Sequence, residues 1–220
     1  TVQNQMKQIL IILTLALSLT PADGFTQNFR PQELDVQFHR AKTAFESGNS
    51  LLEAKARVDR VLNGLPNDLE ALKLRTAILM GLQRPEEAVD DALMAVRIAE
   101  SNGEAQLLLC ESSMAAGNET LAKTALSTAS DLIIESIDHL VRLSWCAVEL
   151  GDLIRAESLS RIAIAQNPED TRGHLQLARV FFRGGNEDAA AEVIANTFRS
   201  ISDASELYKG TLNTYPRSQN

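Results

Sequence analysis

The chain has 220 residues, 45% of them hydrophobic, 5% aromatic and 23% charged, which is enough apolar material for one core or a stack of units sharing one, and excludes a disordered chain. A formal net charge of -8 excludes nucleic acid as the natural partner, because neutralising a phosphate backbone takes a concentrated basic face. The apolar share comes mainly from Ala, Leu, Ile and Val with few Gly and Pro, the composition of close-packed helices rather than sheets.

At the N-terminus, Met6-Lys7 precedes the unbroken apolar stretch Ile9 to Leu19, then Thr20-Pro21 and the small-residue sequence Ala22-Asp23-Gly24. A basic start, an apolar middle and small residues at a cleavage site make a secretory signal over residues 1–24, with Phe25 as the first mature residue. Eleven apolar residues reach only about 16 Å as a helix, short of the roughly 20 residues that span a bilayer, so the alternative reading is an uncleaved anchor rather than a full membrane span. Residues 25–33 read as a linker. The expected location is outside the cytoplasm, periplasmic or cell-surface, with membrane contact only where the N-terminal segment is retained.

From there onward three residue series share one step. Ala54, Ala88, Ala122, Ala156 and Ala190 are 34 apart; Gly117, Gly151 and Gly185 are 34 apart, each followed by Asn or Asp; and Pro66 and Pro168 differ by three such periods. Gly48-Asn49 repeats the glycine pattern one residue out of phase, and Gln83 stands where the second unit's glycine is expected, with Arg84-Pro85 making the turn. Each Gly fits where one helix stops and the chain turns, and each Ala fits where two helices cross too closely for a larger side chain.

With that period the chain resembles the tetratricopeptide repeat family, whose unit is a pair of antiparallel helices. The resemblance implies an all-α, right-handed α-solenoid of five helix-turn-helix units over 34–204, at about 34–68, 69–102, 103–136, 137–170 and 171–204. Residues 205–220 then read as a short capping helix and tail, covering the last apolar face. The family's aromatic signature positions are largely replaced: Gln37, Leu72, Gln106, Leu140 and His174 stand at one, and Ala44, Leu79, Ser113, Ala147 and Phe181 at the other.

No phosphate loop, HExxH or nucleophile elbow is present, and His39, His139 and His174 are scattered over different units, so neither enzyme activity nor a cofactor is expected. Cys110 and Cys146 fall inside helical segments with no CxxC or His partner, and read as small core residues. Asn118-Glu119-Thr120 is a glycosylation sequon on a turn.

The resemblance further implies a concave face lined by fixed first-helix positions. Here they carry Phe38 and Lys42 in the first unit, Leu107 and Glu111 in the third, Trp145 in the fourth, and Arg172, Arg179, Phe182 and Arg183 in the fifth. Glu111, Trp145 and Arg179 share one position and are expected side by side. An apolar floor with charge turning from acidic to basic suits a protein or peptide segment that has an apolar anchor and acidic flanks. The expected function is a non-enzymatic scaffold or adaptor in assembly of an envelope, pilus or secretion complex. The alternative is a structural subunit of a membrane-associated complex or filament that self-associates through its unlike ends.

Overall fold

A computed structural model of the chain describes residues 30–48, 50–132 and 136–199. The signal segment 1–24, residues 25–29 of the linker and the capping helix expected at 205–212 lie outside the described residues. Those described are helical throughout, joined by short turns, with no strand among them.

The helices run α1 (Gln32–Glu46), α2 (Leu51–Gly64), α3 (Leu69–Gly81), α4 (Pro85–Ile98), α5 (Gly103–Ala115), α6 (Glu119–Asp131), α7 (Ile137–Glu149), α8 (Leu153–Gln166), α9 (Thr171–Arg183) and α10 (187–199). Helix α1 begins inside the stretch read as linker, directly after Pro31, with Glu33 and Asp35 in a first turn that favours acidic groups. Odd and even helices form five pairs. Each helix from α1 to α8 packs on the next in sequence, and the first helices also pack on one another across units, α1 on α3, α3 on α5, α5 on α7 and α7 on α9. No such contact joins α2, α4, α6 and α8, the second helices of neighbouring units. The first helices therefore form the inner, tighter layer of the stack, and the second helices the outer one.

The recurring residues explain this arrangement. Ala54, Ala88, Ala122 and Ala156 are fully buried, and Ala190 is 5% exposed. Within the units, the turns close with one repeated hydrogen bond: the N–H groups of Arg84, Asn118, Asp152 and Asn186 donate to the carbonyls of Leu79, Ser113, Ala147 and Phe181. This is the Schellman closure, which places the preceding residue in the left-handed region. Gly117, Gly151 and Gly185 have φ of 74°, 79° and 78° there. Asn118, Asp152 and Asn186 then cap the second helices, their side-chain oxygens accepting from the N–H groups of Leu121, Arg155 and Ala189. The connection between α1 and α2 is one residue longer, which is why its Gly48 is out of phase.

The second unit keeps the same turn without the glycine. Gln83, at φ 58°, is the one positive-φ residue other than glycine among those described. A side chain there costs about 1–2 kcal/mol, partly offset by the lower entropy of the unfolded chain. Gln83→Gly should therefore stabilise the protein by about 0.5–1 kcal/mol in urea unfolding; a neutral or destabilising result would mean the turn is held by other contacts.

The interior forms two apolar clusters. One, around Phe38, Val58, Leu72 and Ile78, lies mainly in the first two units and reaches Ala105 of the third, and the other, around Leu107, Leu126, Leu143 and Leu159, lies mainly in units three to five and reaches back to Ala92 of the second. Cys110 and Cys146 are both fully buried and both free thiols. The Cys146 thiol is pushed far above its ordinary range by its hydrogen bond with Cys110 and by burial, so it packs as a neutral group.

Candidate functional site

Two adjoining cavities open on the layer of first helices, and only first helices line them. The larger, of about 520 Å³, is bounded by Ala77 and Met80 of α3, by Leu108, Glu111, Met114 and Ala115 of α5, and by Arg142, Trp145 and Glu149 of α7. The second, of about 370 Å³, is bounded by Phe38, Lys42, Phe45 and Glu46 of α1, with Lys73 and Leu74 of α3 and Glu104 of α5 among its walls. Ala77, Leu108 and Arg142 belong to both walls, so the cavities are two parts of one groove. Its floor is apolar and its rims are charged.

The rim charges are paired across neighbouring first helices. Lys73 bridges Glu70 on its own helix, at 2.8 Å, and Glu104 on the next. Burial alone would pull the Lys73 amine down, but the two carboxylates more than offset it and hold the pKa above the ordinary value. Arg142 donates from Nε and Nη2 to the two oxygens of Glu111, the first bond at 2.8 Å, and its Nη1 lies 3.6 Å from Asp138. Burial opposes the Arg142 charge as well, and Glu111 more than offsets it. Arg179 and Arg183 both close on the single carboxylate of Glu149, Arg183 at 3.2 Å. The Arg179 guanidinium also lies over the Trp145 ring, 5.9 Å from its centroid.

The residues singled out from the sequence fall into three groups. Phe38, Lys42, Glu111 and Trp145 line the groove. Arg179 and Arg183 join it through Trp145 and Glu149, while Phe182, on the same helix, is 61% exposed. Arg172 stands apart at the start of α9, bonded to Asp170 and Asp138.

Leu107 is a correction: it is fully buried and belongs to the core. A leucine at this position on an inner helix is enclosed by repeats on either side. Its equivalent Leu175, on the last described first helix, stays 52% exposed. The groove-facing leucine is the neighbouring Leu108, and Lys73, Met80 and Arg142 were also missed. Met80 lies 34 residues before Met114, so extending the register to the second unit would have found it.

Five stacked helix pairs with a groove on their inner layer define an α-solenoid of helix-pair repeats. The fold is that of the tetratricopeptide repeat proteins. No family model and no curated protein matches the sequence. Among solved structures, the chain is similar to a thermophilic tetratricopeptide protein of Thermus thermophilus, at 17% identity and TM-score 0.63, over 82% of this chain and 97% of that one. It is similar to MamA of Desulfovibrio magneticus RS-1, at 16% identity and TM-score 0.59, over 77% and 95%. It is also similar to YrrB, described as a tetratricopeptide protein with an unusual peptide-binding site, at 20% identity and TM-score 0.56, over 80% and 92%.

Proposed function

We propose that the chain is a non-enzymatic scaffold that holds a segment of another protein in the groove of its first helices. The observation that carries this reading is the composition of the larger cavity: Met80, Leu108, Met114 and Trp145 give an adaptable apolar floor, and Trp145 stands at its edge beneath a guanidinium. An apolar anchor from the partner fills this cavity. Acidic residues flanking the anchor meet Arg179 and Arg183, which share one carboxylate between two positive charges and so keep attraction for a further acid.

A selection from a random-peptide display library on the full chain, followed by affinity measurement of an enriched peptide, tests this directly. Trp145→Ala and Arg179→Glu should each weaken that peptide about tenfold or more, with helical content and melting behaviour unchanged. Unaltered affinity in both variants would place the binding surface elsewhere.

The same reading puts the protein outside the cytoplasm, in assembly of an envelope, pilus or secretion complex. Its support is the order of basic, apolar and small residues between Met6 and Gly24. Protein from the native source should have an intact mass beginning at Phe25, whereas a mass retaining Met6 to Gly24 would make it an anchored protein.

A second reading, a structural subunit that self-associates, is favoured by one feature. Ile194 and Phe198 on α10 are 38% and 67% exposed, with Leu175 and Phe182 exposed on α9 of the same unit. Light scattering across a concentration series separates the two, since a subunit of this kind grows with concentration and an adaptor stays monodisperse.

A further inference from the structure

The two cavities of the groove repeat one another a unit apart. Phe45, Met80 and Met114 stand at one repeat position of successive units, Phe45 in the wall of the smaller cavity and the two methionines in that of the larger. Packed helices stand about 8–10 Å apart, so two apolar anchors, one in each cavity, are separated by about that distance. Seven residues of an α-helix advance about 10.5 Å and return to the same side, which matches. Same-side residues of a strand are about 7 or about 13 Å apart, which does not. Three residues of a polyproline II segment advance about 9 Å and match as well.

The chemistry of the walls separates the two matching conformations. Among the described residues that bound the cavities there is no Asn, Gln, Ser, Thr or His, and the Trp145 indole N–H is the one neutral side-chain donor. The charged groups are engaged with one another: Lys73 with Glu70 and Glu104, Arg142 with Glu111, Lys42 with Glu46, and Glu149 with Arg179 and Arg183. A polyproline II backbone makes no internal hydrogen bonds, so its N–H and C=O groups would be buried here with few partners. A helix satisfies its own backbone and needs only an apolar floor. Ala77 and Leu108, shared by both cavities, supply that floor under the turn that joins the two anchors.

The rims carry opposite excess charge at the two ends. By the smaller cavity the single Lys73 amine serves two carboxylates, Glu70 and Glu104, whose side chains are 54% and 37% exposed. At the far wall of the larger cavity the single Glu149 carboxylate serves two guanidinium groups. Resting on the capture of a protein segment proposed above, we infer that the groove takes an amphipathic α-helix of its partner, apolar at i, i+3 or i+4 and i+7, with its N-terminal end over α1 and α3 and its C-terminal end at α9. The carboxylates attract the positive end of the helix dipole and a basic side chain in its first turn. The α9 arginines attract the negative end and an acidic side chain in its last turn.

The test selects binders on the full chain from two display libraries of peptides about 18 residues long, roughly 27 Å as a helix. One fixes apolar residues at i, i+4 and i+7 in a helix-favouring background; the other spaces them every third residue with Pro between, which an α-helix does not accept. Binders should come from the first. An isotope-labelled peptide made from an enriched sequence should show helical Cα chemical shifts in the complex. Its affinity should fall about tenfold when either outer anchor becomes alanine, and about tenfold when its basic and acidic ends are exchanged. Phe45→Ala should weaken it about tenfold with the larger cavity intact; should that variant not fold, the alanine peptides give the same reading on the unaltered chain. Enrichment from the second library alone, or non-helical shifts, would overturn the helix and leave segment capture standing. An affinity indifferent to exchanged ends would overturn the fixed direction. No binder from either library would remove the capture itself and this inference with it.

Discussion

Ala156→Leu should cost about 3 kcal/mol of stability and Ala122→Leu about 2 kcal/mol, whereas Glu87→Gln should stay within about 0.5 kcal/mol. Both alanines are fully buried at the recurring crossing of the second helix with its neighbours, so three added carbons have no space unless the helices part. Ala156 is the costlier site because its carbonyl oxygen lies 3.0 and 2.8 Å from the buried Ser144 and Ser160 hydroxyl oxygens, themselves 2.8 Å apart, a cluster whose two hydroxyl protons are shared among these contacts. Prising α7 from α8 would break the link from Ser144 and leave buried polar groups without partners. Glu87 sits on the surface in a pair with Arg84, and exposed pairs contribute little. Urea midpoints measure all three. Equal small shifts would mean that the 34-residue register does not mark the helix crossings.

The register was legible because backbone geometry and close packing restrict residue choice most severely. Only a residue that tolerates positive φ closes each turn, and only a residue without a long side chain fits each crossing. The Gly and Ala series therefore appear in the sequence undisguised, and even the exception at Gln83 coincides with the turn where a larger residue carries the strain. The groove was less legible. Lysine, arginine and leucine serve equally on an inner face, a rim or a core, and which role each takes depends on its neighbours. Leu107 and Leu108 are adjacent residues of one helix, and a side chain's direction, not its chemistry, sends the first into the core and leaves the second at the groove. Glu149 and Arg183 are one period apart and so fall side by side by spacing, but that Arg179 closes on the same carboxylate depends on side-chain direction, which the spacing does not encode.

The polar network between the first two units shows the same limit and gives the sharpest stability test. At the position where later first helices carry the buried Leu109, Leu143 and Leu177, α3 carries Arg75. Its Nε and Nη2 donate to both oxygens of Asp91 on α4, at 2.6 and 2.7 Å, and its Nη1 donates to Asp59 on α2 at 3.0 Å. The Asp91 side chain is 9% exposed and that of Arg75 25%. Arg75→Leu therefore leaves a buried carboxylate with no counter-charge from α3 and should cost about 3 kcal/mol. Replacing both partners is different: Arg75→Leu with Asp91→Ala gives the second unit the leucine and alanine that the third has at Leu109 and Ala125, and should recover most of that loss. The network also sets a pH dependence. Burial alone would raise the Asp59 carboxyl, but Lys55 and Arg75 outweigh it and hold the pKa below the ordinary carboxylate value. A carboxyl whose folded pKa is depressed adds stability above its unfolded pKa, about 3.9, and loses it as pH falls through the folded value. The unaltered protein should thus lose stability more steeply than Arg75→Leu on acidification below about pH 4, and the gap between them should narrow. Urea unfolding of the three proteins at neutral pH and at successively lower pH measures both effects. A double variant no more stable than Arg75→Leu, or a gap that widens in acid, would show that Arg75 acts through packing rather than through its charge.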